Sequence, residues 1–106
     1  MTIELEKLLK AIIASGDSID FKFDGNSMLP TIYPGCSIVV EPMSETPVVG
    51  NIYVFIVRDY KSPRLFCHRL RYINSEWLTF RGDNREYNDN PVHISDIIGI
   101  CRHIDR

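Results

Sequence analysis

The sequence is short of cysteine and of the segments that carry a chain to or across a membrane. Only three of the 106 residues are cysteine, and they are widely spaced, with no C-x-x-C pair. An odd, scattered set argues against a disulfide framework and favours a reducing compartment. No run approaches the ~18 apolar residues of a membrane span, and no basic stretch followed by an apolar one indicates a secretory signal. We therefore expect a cytoplasmic protein without a transmembrane segment.

An excess of charge of one sign is also missing. Twelve Lys and Arg residues face fourteen Asp and Glu residues, which gives a net charge of −2. This balance offers no broad electrostatic surface for nucleic acid, so we expect no nucleic-acid partner. Apolar residues make up 44% of the chain and charged residues 25%. These fractions are typical of a folded globular protein and exclude bulk disorder.

The first sixteen residues predict an amphipathic helix. Apolar residues recur at near-helical spacing, with Glu and Lys between many of them. Thr2 is suited to cap the helix, and Gly16 to end it in a left-handed conformation. We expect the helix to pack on the rest of the domain, and its apolar face also allows peripheral contact with a membrane or a partner helix. The apolar positions are Ile3, Leu5, Leu8, Leu9, Ile12 and Ile13.

Beyond Gly16 the apolar pattern changes to the period of a strand. Alternation and β-branched runs predict several strands separated by turn-rich loops. A hairpin turn is expected at Asn74-Ser75. The resulting fold class is mostly β, a small antiparallel β domain with one N-terminal amphipathic helix. We divide the chain into a helix over residues 1–16 and a β domain over 17–106, within a single domain. The predicted strands cover residues 19–24, 37–40, 52–57, 64–73, 76–81 and 97–104.

Residue types needed for nucleophilic catalysis lie in three separate clusters. A serine hydrolase needs a nucleophile, a base that takes its proton and an acid that orients the base. Ser27 lies between flexible Gly25 and rigid Pro30, a setting that exposes its Oγ together with its backbone N–H. That N–H is suited to stabilise an oxyanion. Histidine ordinarily titrates near pH ~6.5, which makes His68 a candidate general base. The clusters are residues 25–30, 67–69 and 82–89.

The order of these clusters along the chain, and the residue sequence within each of them, resemble those of a known family. From about residue 21 to 104 the chain resembles the signal peptidase I and LexA-like serine peptidase superfamily. The resemblance implies the family's small β fold and an endopeptidase activity. The motifs that carry it are Gly25-Asn26-Ser27-Met28-Leu29-Pro30-Thr31, Gly50-Asn51-Ile52-Tyr53-Val54-Phe55, His68-Arg69-Leu70 and Gly82-Asp83-Asn84.

The resemblance also assigns roles to residues. One branch of the family uses a Ser–Lys dyad, whereas archaeal and endoplasmic-reticulum-type signal peptidases have His in place of Lys. His68 occupies that position here, and Lys61, seven residues earlier, is a poor substitute. The chain is therefore similar to the Ser–His branch, with Ser27 as nucleophile and His68 as base. Asp89 follows Asp83 by six positions and corresponds to the catalytic Asp, while Asp83 corresponds to a supporting acid and remains the second candidate to orient the histidine.

Substrate contacts follow from the same resemblance. Asn26 is the candidate side-chain donor beside the nucleophile, because Gly25 replaces the hydroxyl residue of the Ser–Lys branch. Met28 and Leu29 are expected to shape shallow pockets, although core packing of Met28 is equally open. A peptide or protein substrate would add as a strand to an exposed sheet edge. Because the family's membrane anchor is missing, we expect a soluble protease that removes a leader or cuts a specific substrate.

Two alternatives remain. Cys36 and Asn51 occupy positions where the family usually has Asp, which favours a non-catalytic peptide-binding adaptor or regulator on the same fold. The intact Ser, His and Asp favour the protease.

Cys67-His68 and Cys101-x-His103 raise the question of zinc. Adjacent strand residues point to opposite faces, however, so we expect neither a metal nor another cofactor.

Overall fold

The N-terminal helix, α1, covers Ile3–Ala14 and has the predicted ends. The structure is a computed structural model that describes residues 1–58 and 62–105, apart from the side chain of His103. The Leu5 N–H donates to Thr2 Oγ1 at 3.1 Å, which caps the helix as expected. Gly16 follows the helix with φ +92°, a conformation in which a residue with a Cβ would be strained.

The rest of the described chain forms an antiparallel sheet. The strands are arranged in the order β1-β2-β7-β3-β4-β5-β6. This arrangement confirms the predicted fold class, which is mostly antiparallel β with a single N-terminal helix. A short 3-10 helix, Ile94–Asp96, precedes the last strand. The seven strands found in the described residues are β1 Ile19–Lys22, β2 Ser37–Glu41, β3 Ile52–Val57, β4 Arg64–Asn74, β5 Trp77–Arg81, β6 Val92–His93 and β7 Ile97–Asp105.

Two local predictions were wrong. The hairpin turn between β4 and β5 lies at residues 75–76, one position later than expected, because Asn74 still pairs with Trp77. Ser75 takes a positive φ of 57° in this turn. The two-residue strand β6 was not predicted, since it follows Pro91 and is too short to show a period. It pairs with the start of β5 and brings the preceding loop against that strand.

The sheet has a hydrophobic core on each face. Strand β3 separates the two cores and is almost wholly buried, which explains its unbroken apolar run. Its Val54 side lies in the first core, and its Phe55 side in the second. The first core includes Phe23, Met28, Ile32, Ile38, Val54 and Cys67. The second includes Tyr53, Phe55, Leu70, Leu78, Phe80 and Val92.

Helix α1 packs on the domain through only part of its predicted apolar face, at the buried Leu9 and at Ile13, which contacts the first core. Ile3, Leu5 and Leu8 are 60%, 43% and 55% exposed, while Glu6 is buried. The Glu6 carboxylate accepts hydrogen bonds from both terminal nitrogens of Arg58, at 3.0 and 2.5 Å. Hydrogen bonding to Arg58 holds the pKa of Glu6 down to about 2. An ion pair thus connects the helix to Arg58, the residue that follows β3. No helix in the described residues has the length and hydropathy to cross a membrane.

Candidate active site

Ser27 lies in the irregular loop that connects β1 and β2. The base of the loop is closed by two backbone hydrogen bonds between Phe23 and its partners Cys36, at 2.8 Å, and Gly35, at 2.9 Å. Met28, next to the serine, is fully buried in the first core and accepts on its carbonyl from the N–H of Ile32. Because its neighbour is anchored in this way, Ser27 is held at a fixed position at the surface.

His68 lies on β4, where it pairs with Tyr53 of β3. Its side chain points to the second core and the residue is 6% exposed. The imidazole packs edge-on against Phe55 and Phe66, with ring centroids 6.1 and 5.4 Å away. Strand and aromatic neighbours together restrict the ring to one orientation.

The structure brings Ser27, His68 and Asp89 into one hydrogen-bonded series. Ser27 Oγ is 3.1 Å from His68 Nε2, and His68 Nδ1 is 2.5 Å from Asp89 Oδ2. A carboxylate can only accept, so Nδ1 carries the proton and Nε2 is left to accept the serine O–H. The Asp89 backbone N–H donates to the Phe80 carbonyl at 2.8 Å, which fixes the carboxylate against β5.

Asp83, the second candidate orienting acid, binds other partners. Its two carboxylate oxygens accept from Arg69 Nε at 2.8 Å and Nη2 at 2.7 Å. The Thr31 hydroxyl donates to the same carboxylate at 2.6 Å. The Arg69 guanidinium, assisted by Thr31, holds the pKa of Asp83 below its usual range. Asp83 therefore ties the serine loop to β4, and the carboxylate that reaches His68 is that of Asp89.

Gly82 and Asn84, which flank Asp83 in the chain, also contact the serine loop. The Asn84 backbone N–H donates to the Ser27 carbonyl at 2.8 Å, and its side-chain amide donates to the Asn26 carbonyl at 3.0 Å. A Cβ on Gly82 would lie 2.6 Å from the Ser27 carbonyl oxygen and 3.2 Å from His68 Nε2. Glycine is required at position 82 because backbone passes so close to the site. The Gly82-Asp83-Asn84 motif is recognisable in the sequence, but this packing role of Gly82 is not.

The residues expected to contact substrate are placed differently from one another. Asn26 is exposed beside the serine, and Leu29 is half-buried. Of the two roles left open for Met28, the structure has the core role, since its side chain is fully buried and its sulfur accepts from the Asp83 N–H at 3.3 Å. The Ser27 N–H has no hydrogen-bond acceptor among the described residues. It is therefore available to donate to an oxyanion that forms on a carbonyl group attacked by Ser27 Oγ.

An open groove runs past the serine between β1 and β4. Its volume is about 370 Å³. Strand β5 pairs with residues 69–74 of β4, so within the described chain residues 65–68 have no strand neighbour on that edge. The groove is thus bordered by backbone that is able to pair with an added strand. Its lining includes Phe23, Asp24, Ser27, Leu65, His68 and Asp89.

Metal ligation has no support in the described residues, where no group of three His, Cys, Asp or Glu side chains is arranged to hold an ion. A hydrogen bond with Cys101 and burial both raise the pKa of the Cys67 thiol, so it is uncharged at neutral pH. The side chain of His103, and Lys61 as a whole, lie outside the described residues.

A comparison with protein-family models identifies the chain. The model for the Peptidase S24-like family matches residues 3–102, nearly the full length. No curated protein matches the sequence. The family match confirms the predicted relationship to the LexA and signal peptidase-like serine peptidase superfamily. By this match, the chain belongs to the Peptidase S24-like family.

Proposed function

We propose that the protein is a serine endopeptidase that removes a leader or cuts a specific peptide or protein substrate. Ser27 is the nucleophile, His68 the general base and Asp89 the group that orients the base. The observation that carries this proposal is the series of two hydrogen bonds from Ser27 Oγ through the imidazole to Asp89 Oδ2. Its position in an open groove supports access by an extended peptide.

The reaction proceeds by acyl transfer. His68 Nε2 takes the hydroxyl proton as Ser27 Oγ attacks the scissile carbonyl carbon. The Ser27 N–H then donates to the oxyanion of the tetrahedral intermediate. When the C–N bond breaks, His68 gives the proton to the leaving amine, and the acyl group stays on Oγ. Water, deprotonated by His68, releases the acid, and the proton returns to Ser27. Asp89 accepts from Nδ1 throughout and stabilises the imidazolium.

The substrate binds in this proposal as a strand between β1 and β4. The edge of residues 65–68, which has no strand neighbour within the described chain, supports this mode, because backbone hydrogen bonds hold a peptide irrespective of its side chains. On the other side of the groove, Phe23 and Asp24 extend from the end of β1. His68 is the last residue of the unpaired edge, which brings the added strand alongside the imidazole.

The alternative function is that of a non-catalytic peptide-binding adaptor or regulator. The same groove supports it, and so does the presence of Cys36 and Asn51 where the family usually has Asp. In both proposals the protein is cytoplasmic, since Cys36 and Cys67 are buried thiols without a disulfide. The exposed Leu5 and Leu8 of α1 support peripheral contact with a membrane.

A fluorophosphonate probe separates the two functions without knowledge of the substrate, because it phosphonylates only a serine whose hydroxyl is activated. We expect mass spectrometry to find the adduct on Ser27, and Ser27→Ala and His68→Ala to abolish labelling. Ser44→Ala, at an exposed loop serine, is the matched control and should label like the wild type. Absence of labelling and of peptide cleavage in the wild type would favour the adaptor.

A further inference from the structure

Two further cavities adjoin the catalytic groove, one at each side. The first, about 240 Å³, shares Phe23, Leu65 and Cys67 with the groove. The second, about 510 Å³, shares Asn88 and Asp89 with it. Phe66 lines both cavities and the groove between them. A peptide in the groove therefore passes both cavities along the unpaired edge of β4.

The two cavities belong to opposite faces of the sheet. The smaller is lined by Ile38, Val54 and Cys67, which lie in the first core. The larger is lined by Val92, of the second core, and by Phe66, which packs against that core. Successive side chains of a strand point to opposite faces. A strand added to β4 thus sends one side chain towards the smaller cavity and the next towards the larger.

The chemistry of the larger cavity favours an apolar, ring-shaped occupant. Its walls include Phe66, Trp77 and Pro91. The His93 ring lies edge-on to Trp77, with centroids 5.1 Å apart. Aromatic rings prefer such edge-to-face neighbours, which an incoming ring is able to extend.

The charged groups at this cavity already have partners. Arg58 Nε donates to Asp96 Oδ1 at 3.0 Å, and the same guanidinium also binds the Glu6 carboxylate. Asp89 accepts from His68. A charged ligand would compete with these pairs, whereas an uncharged aromatic ring would leave them intact.

We propose that the 510 Å³ cavity is a substrate subsite for an aromatic side chain. The proposal rests on the proposed function for the strand that carries this side chain past Ser27. Because the cavities lie on opposite faces, the aromatic residue is separated by an odd number of positions from the apolar residue that enters the smaller cavity. Among the residues that line the cavity, Trp77 offers the most direct test of a preference for aromatic side chains, since it is 51% exposed and open to contact.

The first test maps cleavage sites in a randomised ten-residue peptide library by mass spectrometry. The wild type should enrich aromatic residues at one fixed position, at odd spacing from an apolar preference. Trp77→Ala should reduce that enrichment about tenfold, the size expected for one apolar contact, while Trp77→Phe retains it. Tyr72→Ala, an equally exposed aromatic of the same hairpin outside the cavity lining, should change nothing. An unchanged profile in Trp77→Ala, or an even spacing, would overturn the proposal.

The second test reads binding without catalysis. Trp77 is the only tryptophan in the chain, so its fluorescence reports on this cavity. In the Ser27→Ala protein, library peptides with an aromatic residue should shift the emission saturably, and their alanine counterparts should bind at least tenfold more weakly. Equal effects of both peptides would reject the subsite. A saturable shift in a wild type that cleaves nothing would reject the protease while retaining the subsite, and circular dichroism of each variant controls for folding.

Discussion

The two ends of the segment 82–89 contain the same residue type in opposite circumstances. At the front end, Asp83 is bound by two nitrogens of Arg69 and by the Thr31 hydroxyl. At the rear end, Asp89 faces the imidazole of His68. One carboxylate holds two pieces of backbone together, and the other holds a ring that is proposed to move protons.

The comparison indicates that the role of an acid near a proposed active site depends on the side chain that its carboxylate contacts. Asp83 is opposite a guanidinium, which remains charged and has no proton to exchange at neutral pH. Asp89 is opposite an imidazole, which exchanges protons readily in that range. The front end should therefore govern stability and the rear end activity, and variants at the two ends test this division.

The largest effect is expected at the rear end. Asp89→Asn preserves the size of the side chain but lets an amide donor face Nδ1, which favours the tautomer in which Nε2 is protonated. Nε2 then cannot take the serine proton. We expect kcat/KM to fall about 10⁴-fold and the urea midpoint to stay nearly unchanged. Steady-state cleavage of a substrate identified in the library, with unfolding followed by fluorescence, measures both quantities.

The same cleavage assay on Asp83→Asn provides the comparison for Asp89→Asn. We expect the activity of the folded Asp83→Asn protein to remain close to that of the wild type. Equal losses of activity in the two variants would show that the acids act as one unit, and the division between the two ends would be wrong.

The next effect concerns the glycine at the front of the segment. In Gly82→Ala the new methyl group would lie 2.6 Å from the Ser27 carbonyl oxygen, so the serine loop must shift. A displacement of about 1 Å between reacting groups costs about 10²-fold in rate. Gly99→Ala is a matched control, since its methyl would lie 2.5 Å from the Glu41 carbonyl oxygen, on β2. We expect fluorophosphonate labelling per folded molecule to fall only in Gly82→Ala. A similar fall in both would indicate general destabilisation.

A smaller effect, on stability, is expected from Asp83→Asn. The amide keeps a hydrogen-bond acceptor for Thr31 but leaves the Arg69 guanidinium without its counter-charge. Hydrogen bonds to charged groups contribute about 2 kcal/mol, so the free energy of unfolding should fall by about this amount. Urea unfolding at pH 7 measures it. Arg81→Ala, which loses an exposed bond to Asn88, is expected to cost far less. Equal losses would mean that Asp83 contributes no more than a surface contact.

Much of the fold could be predicted from short-range pattern. The unbroken apolar, β-branched run of residues 52–57 and the capping residue Thr2 are local signals, and both elements formed with the expected bounds. The motifs around Ser27 and His68 identified the two side chains that the fold brings within hydrogen-bond distance, although the residues are 41 positions apart. Motif order supplied this pairing, since composition alone did not distinguish it.

What could not be predicted depends on contacts between distant segments. No local pattern distinguishes the buried Glu6 from the exposed Glu4, because the burial of Glu6 depends on Arg58, 52 positions later. The approach of Gly82 to the Ser27 carbonyl is a distance between loops, and no local pattern encodes it. Met28 is a similar case, because a sequence motif does not distinguish an apolar residue that faces a groove from one that is buried in a core.

The smallest effect expected is a change in acid sensitivity. Hydrogen bonds from Arg69 hold the pKa of Asp83 below its usual range in the folded protein. In the unfolded chain an Asp titrates near ~3.9, so in acid the unfolded state binds more protons than the folded state. The stability contributed by Asp83 is therefore complete above about pH 5 and declines as the pH falls below ~4. The difference in urea midpoint between wild type and Asp83→Asn should shrink in the same window.

Glu6 provides the reference for this acid experiment, because it is also ion-paired and its partners, Arg58 and Lys10, lie outside the segment 82–89. Arg58 holds its pKa at about 2, so the midpoint difference between wild type and Glu6→Gln should decline progressively below about pH 4, where the unfolded chain binds the proton, and should be lost completely only near pH 2. If the Asp83→Asn difference stayed constant from pH 7 down to 2, the Asp83 charge would contribute nothing to stability. The front end of the segment would then owe its hold on the serine loop to Asn84 and Gly82 alone, and the contrast between the two acids would reduce to the single contact of Asp89 with the imidazole.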